Sequence, residues 1–188
     1  MSELRILLYG DIDLNFMDGS AVWLTSIAPV LSLNENIQVD LLLKAKEQND
    51  HLTCALKNKP NLQLIQPFEK FSNMGFKQQT RLLVSEAVQI MAKLHQENPY
   101  HLVIVRGFDL VREMMNYEEF RHITVPYLTD FKHDERSTKA ERNDLKRVYD
   151  HFDYMFLQTK ETKEAFKKLI RVDGKKNSAT VSYDSGVK

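Results

Sequence analysis

Two short apolar runs, each stopped by a glycine, constrain this chain more than any other feature. Residues 4–9 (LRILLY) end at Gly10, and residues 102–106 (LVIVR) end at Gly107. A run of that length, closed by a residue that permits a turn, reads as a strand buried on both faces. Residues 39–45, 62–67, 123–129 and 154–157 repeat the pattern, and the polar tail holds a shorter candidate at 179–183. Pro126 weakens the fifth strand or places it where no ladder donor is needed.

Helical periodicity fills the intervals. The first helix follows Gly19-Ser20, with Val22, Trp23, Ile27, Val30 and Leu31 as its expected inner stripe. Asp18 and Ser20 are both candidate N-caps, and Pro29 is expected to kink this helix or end its first part. Residues 78–96 carry the stripe Leu83, Ala87, Ile90, Met91 and Leu94. Residues 110–117 form a short helix, and Ser137 is expected to cap a helix through 151 with Leu145, Val148, Tyr149 and Phe152 inward. A last helix opens at Thr159 or Thr162 and turns Ala165, Phe166, Leu169 and Ile170 inward. Alternating strands and helices imply right-handed crossovers. The expected fold is α/β and Rossmann-like: a doubly wound, mostly parallel sheet of about six to seven strands with helices on both faces. One domain is expected over residues 1–172, with residues 173–188 a polar tail or the start of a linker.

Composition narrows the function classes. The 188 residues carry 26 basic and 26 acidic side chains, so the formal net charge is zero and no global positive field draws nucleic acid. The lone cysteine, Cys54, forms no intrachain disulfide, excludes cysteine-built zinc sites and favours a reducing, cytoplasmic setting. The opening MSELR has no signal-peptide pattern, and no apolar run approaches the roughly 20 residues that span a bilayer.

In parallel α/β folds ligands sit at the carboxyl ends of the strands. That places the candidate site in the loops after the first, fourth and fifth strands. The first loop runs from Gly10 to Ser20 and is not a GxGxxG turn, so no nicotinamide or flavin cofactor is expected. Gly10, Asp18, Gly19 and Ser20 lead into a helix N-terminus suited to a phosphate or a sugar hydroxyl, or else Gly19 simply permits a turn that a cap completes. Arg106 and Gly107 stand at a strand end fit for an anion, or for an ion pair. Asp130, Lys132 and His133 belong to the densest polar cluster, and His133 is the histidine singled out for chemistry. His51, His95, His101, His122 and His151 read as surface residues. No metal-ligand spacing stands out, and no metal or cofactor is expected.

Two resemblances attach to these segments. Asp11-Ile12-Asp13 after a strand resembles the paired aspartates of haloacid-dehalogenase phosphatases, although Asn15 departs from that pattern. More of the chain, roughly residues 4–170, resembles the amino-terminal domain of GT-B glycosyltransferases of the retaining family-4 group. The similarity lies in ILLYGDID, in MDGSAVWLTSIAPVLSLNENIQVDLLLKA, in HLVIVRG, in PYLTDFKHDE and in DYMFLQTKETKEAFKKL, in that order. The resemblance implies the acceptor-side half of an enzyme that moves a sugar from a nucleotide-sugar donor to a glycan, polymer or lipid acceptor of the cell envelope. It implies donor binding mainly by a carboxyl-terminal domain that this chain lacks, and an inactive half. It maps the phosphate loop to Asp18-Gly19-Ser20 and the sugar-contacting residue to His133 or Lys132. Lys163, Lys167 and Arg171 on the last helix offer a peripheral contact with the inner face of a membrane. Two other readings stand beside it: a non-catalytic α/β binding or regulatory module, and a phosphatase of the dehalogenase type.

Overall fold

The structure, a computed structural model, describes residues 4–129, 137–170 and 178–180. They belong to two compact units, Met1–Val105 and Arg106–Lys188.

In the first unit β1 (Leu4–Gly10) leads through the long polar loop into α1 (Gly19–Leu31). β2 (Ile37–Leu42) and β3 (Leu62–Ile65) follow. A single turn, α2 (Pro67–Lys70), and the long α3 (Val84–Glu97) precede β4 (Leu102–Arg106), whose last residue opens the second unit. The strand order is β3-β2-β1-β4. β1 pairs with β2 in parallel, Ile6 opposite Val39, and β2 pairs with β3 in parallel, Val39 opposite Leu62. The second unit holds α4 (Phe108–Met114), β5 (Thr124–Leu128), α5 (Lys139–His151), β6 (Met155–Leu157), α6 (Lys160–Ile170) and β7 (Ser178–Thr180). Its strands lie in the order β5-β6-β7, and both pairs are parallel. The fold is α/β and Rossmann-like, with parallel strands flanked by helices, as the alternation of elements predicts.

Burial explains why the strands read so clearly. Ile6, Leu8, Val39, Leu41 and Ile104 pack with Ala21, Leu24 and Ala28 of α1 in one core cluster. Each Val, Leu or Ile side chain among them, once removed from water, contributes about 1.5–3 kcal/mol. The small side chains of Ala21 and Ala28 let α1 sit close to the sheet.

The face of α1 agrees with the expected one in part: Trp23, Ile27 and Leu31 pack half-buried against the core. The buried residues are Ala21, Leu24 and Ala28, whereas Val22 and Val30 are 45% and 62% exposed. The helix contains no charged residue and only Ser20, Thr25 and Ser26 as polar ones, so its sequence marks the inward side weakly. The helix runs through Pro29 and ends at Leu31, where Ser32 N–H donates to the Ala28 carbonyl at 3.2 Å.

α3 begins six residues later than expected, at Val84 rather than residue 78. Residues 80–82 instead run beside residues 44–46: Lys46 N–H donates to the Thr80 carbonyl and Leu82 N–H to the Lys44 carbonyl, each at 2.8 Å. The buried Glu86 carboxylate then fixes the helix start, accepting from the amides of Lys77 and Leu83 at 2.8 Å each. α5 is capped by Thr138, whose Oγ1 accepts from the Glu141 amide, rather than by Ser137.

At the opposite, amino-terminal end of β1, a buried ion pair ties β1 to β2. Arg5 Nη2 lies 2.6 Å from Asp40 Oδ2, and the Asp40 side chain is only 3% exposed. Tyr100 donates its hydroxyl to the same oxygen at 2.7 Å, and the Arg5 guanidinium stacks 4.6 Å over the Tyr100 ring. Burial first, and the Asp40 carboxylate second, push the Tyr100 phenol well above its ordinary range.

Candidate functional site

The carboxyl rim of β1 in the first unit holds a dense polar constellation. Three segments build it: the loop after β1, residues 44–49 after β2, and residues 80–82 before α3. The antiparallel bridge between Ala45 and Arg81 brings the last two together.

Each aspartate of the first loop finds a cation there. Asp11 Oδ1 lies 2.7 Å from Lys44 Nζ. Asp13 Oδ2 lies 3.0 Å from Arg81 Nε, and its Oδ1 accepts from the Asn15 amide at 3.0 Å and from Asn15 Nδ2 at 2.8 Å. Asn15 then stitches the loop to the next segment. Its Nδ2 donates to the Lys46 carbonyl at 3.0 Å, and its Oδ1 accepts from the Gln48 amide at 2.6 Å. Asn49 Nδ2 returns a bond to the Asn15 carbonyl at 3.1 Å. Below them Tyr9 is fully buried, and its hydroxyl has no hydrogen-bond partner among the described residues. Burial, with the Asp11 charge as a second cause, raises the Tyr9 phenol well above its ordinary value, so it stays neutral.

The expected site residues distribute as follows. Gly10 closes β1, and a β-carbon there would come 2.7 Å from Ile12 Cδ1, so this glycine serves close packing. Asp18 caps α1: its Oδ1 accepts from the amides of Ser20 and Ala21, both at 2.8 Å, and the Val22 amide bonds the Asp18 carbonyl at 2.9 Å. The amides that a phosphate would approach are therefore engaged by a carboxylate of the chain itself. Gly19 opens the helix with free space around it. Ser20 is its second residue.

Arg106 and Gly107 open the second unit. Arg106 Nη2 donates to Thr129 Oγ1 at 3.0 Å. Gly107 is the residue before α4 and has a φ of 127°, a conformation that L side chains rarely adopt. Asp130, Lys132, His133 and Arg171 lie outside the described residues. Lys167 pairs with Glu164 at 3.3 Å, and Lys163 is half-buried on the same helix.

Sequence reasoning found Asp11 and Asp13 but missed Lys44, Arg81 and Asn49, and it took Asn15 only as a departure from a pattern. Periodicity marks strands and helices, not the distant cation that a loop aspartate will meet. Two histidines read as surface residues also have structural partners. His101 Nδ1 accepts from the Arg5 amide and His95 Nδ1 from the Tyr100 amide, each at 3.0 Å. Among the described residues no group of three or more His, Cys, Asp or Glu side chains gathers to hold a metal ion. Among the same residues no helix is long and apolar enough to cross a membrane.

Comparison with known proteins adds little to this geometry. No family model matches the chain, and no curated protein matches it. Among solved structures it is similar to the pyridoxal kinase from Entamoeba histolytica at 11% identity and a TM-score of 0.42. That alignment covers 84% of this chain and 52% of the kinase, so the chain spans about half the length of the enzyme it matches. The glycosyltransferase function expected from the sequence is corrected: a solved structure to which the chain is similar is a kinase, not a glycosyltransferase. At this degree of likeness the kinase's chemistry is not carried over to this chain either.

Proposed function

We propose that the chain is a non-catalytic α/β binding or regulatory module. One observation supports this reading above the others: the acids at the rim of β1 are engaged by partners within the chain. Asp11 faces Lys44, both oxygens of Asp13 are held by Arg81 and Asn15, and Asp18 holds the first turn of α1. A nucleophilic carboxylate needs an open approach, and a general acid needs a proton free to move to substrate. Carboxylates committed to ion pairs and backbone amides act instead as fasteners between segments.

The test is incubation of the chain with p-nitrophenyl phosphate and a panel of phosphorylated metabolites, followed by phosphorus NMR. The expected result is an unchanged set of resonances, with saturation-transfer signals for those compounds that bind. Release of inorganic phosphate that disappears in Asp11→Asn would overturn the reading in favour of a phosphatase.

A further inference from the structure

The second unit contains a cavity of ≈ 410 Å³ between α5 and α6. The two helices touch where the rings of Tyr149 and Phe166 pack, 5.9 Å between centroids. Beyond that contact, toward the start of α5 and the end of α6, the cavity opens. Lys139, Arg142, Asn143 and Lys146 form its α5 wall, and Leu169 and Ile170 its α6 wall.

The charges around this cavity divide into two groups. Arg112 and Arg147 both reach Asp144, Lys146 lies 2.5 Å from Asp150, and Lys167 lies 3.3 Å from Glu164. Glu141, the acid nearest along the helix, accepts from the Thr138 amide at 2.7 Å in the N-terminal cap. The side chains of Lys139 and Arg142 have neither an ion pair nor a hydrogen bond among the described residues. Both are exposed, both line the cavity, and they lie three residues apart on one face of α5. Opposite them stand two aliphatic side chains, Leu169 half-buried and Ile170 buried.

A guanidinium and an ammonium on one wall suit a phosphate or carboxylate, which accepts from both. An aliphatic wall within the same cavity suits a hydrocarbon chain and repels a bare, fully hydrated anion. We propose that the α5–α6 cavity binds an anionic amphiphile. Its phosphate or carboxylate head lies against Lys139 and Arg142, and its short hydrocarbon part lies against Leu169 and Ile170. This site deepens the binding-module reading and rests on it.

Dodecyl phosphate below its micelle concentration is the probe, titrated into the full chain by calorimetry. The expected result is saturable binding to one site that weakens by about tenfold or more in Lys139→Gln/Arg142→Gln, whose circular dichroism stays unchanged. Leu169→Asn is expected to weaken dodecyl phosphate while leaving the feeble binding of inorganic phosphate alone. Lys167→Gln, which removes a cation already paired with Glu164, is expected to change nothing. Flotation with phosphatidylcholine vesicles, with and without phosphatidic acid, separates the sources of the head group. Co-flotation that depends on Lys139 and Arg142 assigns it to a lipid surface, and its absence alongside tight dodecyl phosphate binding assigns it to a free ligand. No binding of dodecyl phosphate, equal affinity in the double variant, or equal affinity for inorganic phosphate overturns the site. These three outcomes leave the module reading standing. Only turnover of the probe, lost in Asp11→Asn, overturns that reading itself.

Discussion

The rim of β1 in the first unit and the α5–α6 cavity in the second treat charge in opposite ways. At the rim Asp11 has Lys44 and Asp13 has Arg81. In the cavity Lys139 and Arg142 have no carboxylate among the described residues. A formal net charge of zero is the sum of both arrangements and reveals neither. Ion pairs that join segments far apart in the chain hold a fold together, whereas unmatched charges beside an apolar wall are available to a ligand.

The sharpest way to break this contrast is to remove a charge from the paired class where it is most buried. Asp40→Ala strips Arg5 and the Tyr100 hydroxyl of their shared acceptor and is expected to cost about 3 kcal/mol or more in urea unfolding. A loss below 1 kcal/mol would show that even the buried pair is dispensable. At the rim, Asn15→Ala removes the side-chain bonds to Asp13, Lys46 and Gln48, and about 1–2 kcal/mol is expected by the same measurement. Asp13→Asn, which keeps shape but loses the charge facing a half-exposed Arg81, is expected to cost about 0.5–1 kcal/mol. Lys139→Gln/Arg142→Gln should stay within about 0.5 kcal/mol of the parent, because no partner is lost. A large destabilisation there would make these cations structural and erase the contrast.

The smallest expected effect is a pH dependence in the second unit. Burial first, then the Arg121 charge and finally His122, lower His151 below its ordinary value, against a raising effect of Glu118. Its ring meets Phe152 edge-on at 4.7 Å. The unfolded chain therefore binds a proton that the folded chain resists. The stability from neutral His151 is fully present above its ordinary, unfolded value. It declines as pH falls from there through the lowered folded value. Unfolding midpoints for the parent and His151→Gln should converge as pH falls through that window; parallel curves would remove the assignment.

Some of this was legible in the amino-acid order, and the reasons are specific. β4 was read to its residue because an apolar run sits between polar residues and a glycine. The buried face of α1 was read only in part, Trp23, Ile27 and Leu31 correctly and Ala21, Leu24 and Ala28 not, because a helix without charges has a weakly marked polar side. The start of α3 was misplaced because residues 80–82 pair with residues 44–46, a choice made by tertiary contact against local periodicity. The rim was half legible. Two aspartates after a strand are visible in sequence, but their partners Lys44 and Arg81 lie on other segments that only the fold brings near. The glycosyltransferase resemblance followed the order of strands, loops and helices, which many α/β proteins share whatever their chemistry.

Position 10 carries a further consequence. The δ-methyl of Ile12 lies only 2.7 Å from where a β-carbon on Gly10 would go, and Leu24 Cδ2 lies 3.3 Å from it. The two sites are therefore coupled through a shared volume: enlarging one requires trimming the other. Gly10→Ala alone should crowd the turn, and Gly10→Ala with Ile12→Val should recover most of the loss, a compensation that independent positions do not show. Among related chains, a bulkier residue at position 10 should travel with a smaller one at position 12.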